Sequence, residues 1–238
     1  MKHRRIIETL EALGDSDTAS RTQSFFKTAR GDYGYGDRFL GIRVPVLRKF
    51  LPDYRTLALQ EVEQLLSSHW HEVRLFALLL LVDRFQRGDE SIQEQIYRIY
   101  LSHRSSINNW DLVDSSAPQI VGAYLYQRKN AVDVLYRLAQ SESLWDRRIA
   151  IVACLYFIRQ GEFEEALSLS ERLLDDSHDL IHKAVGWMLR EIGKQNLAVE
   201  QAFLARHYRK MPRTMLRYAI EKFPEETRQA YLKGKIGN

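Results

Sequence analysis

Apolar residues recur at intervals of three and four along nearly the whole chain. VEQLLSS, VRLFALLLLVDRF, IYRIYL, AVDVLYRLA and AVGWMLREI each gather Leu, Ile, Val or Phe on one face of a helical period. No stretch alternates apolar and polar residues between turn signals, so strands are not expected. The pattern predicts roughly a dozen helices, most of ordinary length. Short breaks fall at GDSD (14–17), GDYGYGD (31–37), QRGDES (86–91), QGEF (160–163) and DDSHD (175–179).

The helices also repeat. Ala77 in VRLFALL, Asp114 in WDLVDSS, Ala150 in DRRIAIV, Ala184 in IHKAVGW and Ala219 in MLRYAIE are separated by 37, 36, 34 and 35 residues. A second amphipathic helix lies between each pair, at 90–102, 130–140, 162–173 and 195–209. A helix pair recurring at this period is the signature of an α-solenoid of HEAT-like type. The expectation is an all-α, curved stack over residues 1–238, one domain, with one helix of each pair lining a concave surface. Asp114 then stands in a column that carries Ala in the other four repeats. The fold has no need of a carboxylate there, which makes Asp114 a functional candidate.

The composition fits a globular chain: 45% of residues are apolar and 28% charged, and Gly (12) and Pro (5) are few. The single cysteine, Cys154, rules out an intrachain disulfide and reads as a small core residue in IAIVACLYFI. The N-terminal stretch has no apolar core of a signal peptide. The longest apolar run, LFALLLLV, is too short to span a bilayer. These features predict a soluble, intracellular, monomeric protein with no membrane partner. Net charge is +4, which permits an anionic partner without requiring one.

Charge is unevenly distributed. Residues 180–217 hold eight cations (Lys183, Arg190, Lys194, Arg206, Arg209, Lys210, Arg213 and Arg217) and two acids. Residues 161–179 are the reverse, with seven acids against Arg172. An acidic outer helix beside basic inner ones predicts a basic groove suited to a phosphate backbone. A protein ligand with an acidic surface would suit it as well.

Trp110 and Asp114 share one helix face at i and i+4. Asn109 is the expected N-cap, and the first-turn position explains Asp111 through the helix dipole. Pro118, one turn on, predicts a kink or local irregularity. The plainer reading of Asp114 is a pair with a neighbouring Arg. Arg147 and Arg148 occupy the next repeat, and either could face Asp114 and hold it ionised. Trp187 is flanked by Lys183 and Arg190, an arrangement common on nucleic-acid surfaces and equally common as core packing. HWHE (69–72) and HDLIH (178–182) lack a third ligand, so no metal is expected. GDYGYGD has no GK[ST] and reads as a turn with aromatic packing.

Taken in order, Trp110-Asp111-Leu-Val-Asp114, Trp145-x-x-Arg148 and Lys183-Ala-Val-Gly-Trp187-x-Leu-Arg190-Glu resemble the AlkD-type DNA glycosylases. Phe39-Leu-Gly-Ile-Arg-Val-Pro45-Val-Leu-Arg48 is similar to the same family, and the resemblance covers nearly the whole chain. It implies a HEAT-like repair enzyme of the bacterial cytosol or nucleoid that needs no cofactor. Such an enzyme excises cationic N3- and N7-alkylpurines from double-stranded DNA as a monofunctional glycosylase, and the lesion need not be flipped into a deep pocket. Trp110, Asp114, Arg148 and Trp187 match the family's active-site positions. Arg147, Lys183, Arg190, Lys194, Arg213 and Arg217 are the expected DNA contacts. The family pattern carries a Tyr near Phe25, where this chain reads SFFK. The competing expectations are a non-catalytic protein that binds damaged or branched DNA, and a protein-interaction scaffold.

Overall fold

The structure, a computed structural model, describes residues 2–128 and 131–236. Among the described residues the regular elements are helical, with one isolated bridge between Arg38 and Trp70. The chain divides into two compact units, residues 1–120 and 121–238. Unit 1 contains α1 (Lys2–Ala12), α2 (Ser16–Phe25), α3 (Val44–Tyr54), α4 (Leu59–Leu66), α5 (His71–Arg87), α6 (Glu90–Ser102) and α7 (Trp110–Asp114). Unit 2 contains α8 (Ala123–Tyr126), α9 (Asp133–Ala139), α10 (Leu144–Arg159), α11 (Glu164–Arg172), α12 (Asp179–Gln195), α13 (Leu197–His207), α14 (Arg213–Ala219) and α15 (Glu225–Leu232).

Three of the breaks read in the sequence, 14–17, 86–91 and 175–179, are where helices start, because each supplies a capping side chain. Asp15 accepts from Thr18 N at 2.8 Å to open α2, and Asp89 accepts from Ile92 N at 3.0 Å to open α6. His178 Nδ1 accepts from Leu180 N at 3.1 Å to open α12. The pairing of helices holds inside each unit. In unit 1, α5 packs against α3, α4, α6 and α7. In unit 2, α10 packs against α9, α11 and α12, and α12 against α13 and α14. Ala77, Ala150, Ala184 and Ala219 are fully buried on their helices, while Asp114 is half-buried. Side-chain size at this column decides how closely helices approach. Two residues beyond Ala184, Gly186 goes further: a Cβ there would stand 2.4 Å from the Met215 carbonyl of α14. The glycine of KAVGW is therefore required by the α12–α14 contact.

α5 and α10 are buried nearly all round, so the middle of each unit is apolar. Cys154 lies in that interior, where burial pushes its thiol well above the usual range and leaves it inert. The irregularity predicted at Pro118 is a π-helical turn, Pro118–Gly122. No helix among the described residues is long and apolar enough to cross a membrane.

Candidate functional site

α7 is short, and its placement is set by what precedes it. Asn109 is fully buried, adopts an extended backbone and accepts from Trp110 N at 2.9 Å, the cap expected from the sequence. Asp111 Oδ1 accepts from Leu112 N at 2.9 Å. Trp110 stacks on Phe26, with ring centroids 5.0 Å apart and 17° between planes, and meets Phe25 edge-on at 5.9 Å. Phe26 continues the stack to Phe39 at 5.0 Å, and Phe39 to His71 at 4.4 Å. Asp114 closes α7, on the face that carries Trp110.

Helix capping accounts for only part of Asp111. Its Oδ2 lies 2.8 Å from His71 Nε2, and His71 Nδ1 lies 2.8 Å from Asp37 Oδ2. Burial opposes the charge on His71, but Asp111 and Asp37 outweigh it and hold the imidazole up to about 9. Both ring N–H groups therefore donate at neutral pH. Asp37 is likewise disfavoured by burial, yet His71 and Arg74 keep its carboxyl below the usual range. Arg74 Nη2 donates to Asp37 Oδ1 at 2.6 Å and to Asn108 Oδ1 at 3.1 Å, and Nε donates to the Ser106 carbonyl at 3.0 Å. Two carboxylates and two cations thus tie the glycine-rich loop, the first turn of α5 and the entry to α7 into one buried network. The loop read as a packing turn supplies Asp37, with Gly31 and Gly36 at positive φ.

Glu72 explains the FLGIRVP segment. Its carboxylate accepts from Leu40 N and Gly41 N at 2.8 Å and from Ile42 N at 3.2 Å. Gly41 has φ +83°, and a Cβ there would lie 2.2 Å from the Asp15 carbonyl. Thr22, Phe26, Phe39, Arg43, Pro45, His71 and Asp111 are among the residues lining a cleft of ≈ 260 Å³ in unit 1. Among the described residues no group of three or more His, Cys, Asp or Glu is arranged to hold a metal ion.

The remaining expected site residues belong to unit 2. Arg148 on α10 is 5% exposed and donates to the Leu180 carbonyl, in the first turn of α12, at 2.6 Å. Arg147 turns to Asp176, with Nε 2.6 Å from Oδ2, and also donates to the carbonyls of Ser141 and Glu142. Trp187 is half-buried and its Nε1 donates to Glu191 at 3.1 Å. The expected DNA contacts of α12 have acidic neighbours: Lys183 pairs with Asp179 at 2.7 Å, Lys194 with Glu191 at 2.7 Å, and Arg190 with Glu221. Arg213 donates to the Leu232 carbonyl at 2.5 Å, and Arg217 is exposed. The structure thus joins Trp110 with Asp114 on α7, and links Arg148 to the helix bearing Trp187.

The family model described as DNA alkylation repair enzyme matches residues 6–223. The chain belongs to this family. No curated protein matches the chain. Among solved structures, it is similar to a predicted DNA alkylation repair enzyme from Enterococcus faecalis, at 18% identity and a TM-score of 0.70. That similarity covers 89% of this chain and 97% of the other. It is also similar to AlkD2 from Streptococcus mutans, at 18% identity and a TM-score of 0.56, over 88% of this chain and 98% of that one. At such identities these likenesses speak for the all-helical fold of the family.

His71, Asp37, Arg74 and Glu72 shape the candidate site, and sequence reasoning, which weighed HWHE only as a metal motif, gave none of them a role there. Charged residues in the first turn of an otherwise apolar helix, HEVRLFALLLL, were the available signal. A charge there must be paired once buried, and the sequence does not say by what.

Proposed function

We propose that the protein is a monofunctional DNA glycosylase acting on cationic N3- and N7-alkylpurines in duplex DNA. Membership of the DNA alkylation repair family supports the repair role. The observation that carries the chemistry is Asp114: a half-buried carboxylate one turn from an indole, where the other repeats bury an alanine.

An alkylated purine carries a positive charge on its ring. When the bond from C1′ to the base breaks, its electron pair moves onto the ring and quenches that charge. The base departs neutral and needs no general acid. The deoxyribose left behind develops oxocarbenium character. An ionised carboxylate beside it stabilises that charge electrostatically. The same group orients a water, which adds to C1′ and gives up a proton, leaving an abasic site. Trp110 offers an aromatic face to a cationic sugar and base. The family pattern assigns Arg148 and Trp187 to the same chemistry. No lysine is placed on α7 to form a Schiff base, so the strand is not expected to be cut.

The test is to incubate the protein with a methylated duplex and score abasic sites by alkaline strand cleavage. Abasic sites that accumulate with enzyme and time, with no cleavage before alkali, are expected. Duplex binding without abasic sites would return the non-catalytic DNA-binding reading. Absence of duplex affinity at physiological salt would favour a scaffold.

A further inference from the structure

Trp110 is held from both sides by one imidazole. The residue before it, Asn109, donates to Asp37 Oδ2 at 3.3 Å. The residue after it, Asp111, lies 2.8 Å from His71 Nε2, and His71 Nδ1 lies 2.8 Å from that same Asp37 oxygen. Chain and contacts thus close a ring that runs from Asn109 through Asp37, His71 and Asp111 back to Trp110. A second ring closes through the aromatic groups. The indole stacks on Phe26, and Phe26 meets His71 at 5.2 Å, with Phe39 against both. The backbone of Trp110 and its side chain are therefore tied to the same imidazole, which is 1% exposed.

Local structure alone would not fix this residue. α7 has five residues, too few for a helix to hold its own position. Arg74 extends the anchorage backwards, donating to Asn108 Oδ1 and to the Ser106 carbonyl. Asp111 commits one carboxylate oxygen to Leu112 N and the other to His71, so its side chain is fixed at both ends of the carboxylate. Four charges gathered away from water are a costly way to seat a short helix when apolar packing would serve. Directional bonds, unlike apolar contacts, set an angle as well as a distance. A group that takes part in chemistry needs that, because it must be held to about 0.5 Å.

We propose that His71 is a positioning residue for the glycosylase reaction, acting through Asp111 and Phe26 to hold the indole of Trp110, and with it the Asp114 end of α7, in the orientation the chemistry uses. This rests on the reading of the protein as a glycosylase. His71 itself touches no reacting atom. Both of its ring protons are needed, since an imidazole that has lost one can donate to only one of its two carboxylates. The charged groups around it are Asp37 from the glycine-rich loop, Asp111 from α7, Arg74 and Glu72 from α5, and Arg43, which lines the same cleft.

The first experiment needs no substrate. The full chain is labelled with fluorotryptophan, and Trp110→Phe identifies the fluorine NMR resonance of Trp110 among those of the four tryptophans. In wild type that resonance is expected to move as His71 loses a proton, with a midpoint near pH 9. Asp111→Ala leaves the bonds of Asp37 to His71 and Arg74 in place. It should shift the Trp110 resonance at neutral pH and shrink its response to pH, while Trp145 and Trp187 stay where they are. A general loss of structure would move all of them. A Trp110 resonance indifferent to both pH and Asp111→Ala would overturn the proposal and leave the glycosylase reading standing. The second experiment is single-turnover release of 7-methylguanine from a methylated duplex. Asp111→Ala should slow release on the order of 10- to 100-fold, with duplex affinity changed by no more than a few-fold. Its effect should largely vanish in a His71→Ala background, because the two side chains act as one. If His71→Ala does not fold, Asp111→Ala alone decides, and release equal to wild type would overturn the proposal. No release by wild type would overturn the glycosylase reading itself, and the positioning role with it.

Discussion

Unit 1 buries the Asp37 carboxylate among His71, Arg74 and Asn109, whereas unit 2 buries Glu200 with Oε1 lacking any hydrogen-bond partner. Both groups are hidden from water: Glu200 is 1% exposed and Asp37 7%. Their charges differ all the same. Burial dominates at Glu200 and pushes its carboxyl up to about 8, with Arg190 pulling only weakly the other way. Around Asp37 two cations reverse the same penalty. Burial therefore does not decide whether a carboxylate is charged; the partners within hydrogen-bond reach do. The charged cluster stands at the entry to α7, the helix that carries Trp110 and Asp114. Glu200 faces no such element, and its neutral form is the one the fold accommodates.

The largest expected effect comes from breaking the charged cluster. His71→Ala leaves Asp37 to Arg74 and Asn109, takes from Asp111 its bond to the imidazole, and removes the ring stacked on Phe39. It should cost about 3–5 kcal/mol, read as a fall in the urea midpoint. A loss below about 1 kcal/mol would mean that the cluster is not holding unit 1 together. The pH dependence gives the next effect. The folded imidazole is raised above the unfolded value of 6.5 to about 9. Its stabilisation is therefore complete below pH 6.5 and is lost as pH rises through 9. The span corresponds to roughly 3 kcal/mol, visible as an alkaline fall in stability that flattens in His71→Ala.

Glu200 should respond in the opposite sense to substitution. Its folded carboxyl is raised above the unfolded value of 4.5 to about 8, so the wild type loses stability as pH climbs from 4.5 to 8. Glu200→Gln removes that loss. It should raise stability by roughly 2 kcal/mol at alkaline pH, with the gain shrinking towards pH 5 in thermal melts. A destabilised Glu200→Gln at pH 8 would show that the buried carboxyl is charged and paired. The smallest effect concerns the paired cations of α12. Glu221→Gln removes one of the two acids paired with Arg190, and duplex affinity at low salt should rise by a few-fold, in line with exposed pairs worth about 0.5 kcal/mol.

Much of the helical frame was legible in the chain. The expected second helices at 90–102, 162–173 and 195–209 correspond to Glu90–Ser102, Glu164–Arg172 and Leu197–His207. The expected helix 130–140 is realised as Asp133–Ala139, with position 130 outside the described residues. A 3.6-residue period and a capping Asp or Asn are local signals, and local signals survive folding. The spacing of Ala77, Asp114, Ala150, Ala184 and Ala219 separated Asp114 from its column by the same logic. What escaped was long-range. Asp37, His71 and Asp111 are 34 and 40 residues apart along the chain. No periodicity links them, and each alone had an adequate local explanation. Charge density likewise does not show partners outside its window. Residues 180–217 looked like the basic surface, yet Asp179 and Glu221 lie just outside that window and neutralise Lys183 and Arg190.

The most direct measurement is single-turnover release of 7-methylguanine from a methylated duplex by wild type and by Asp114→Asn, with duplex affinity measured for both. The chemistry proposed for Asp114 predicts a fall in rate of roughly 100- to 1000-fold with affinity changed by no more than a few-fold. Equal release by the two proteins would contradict it.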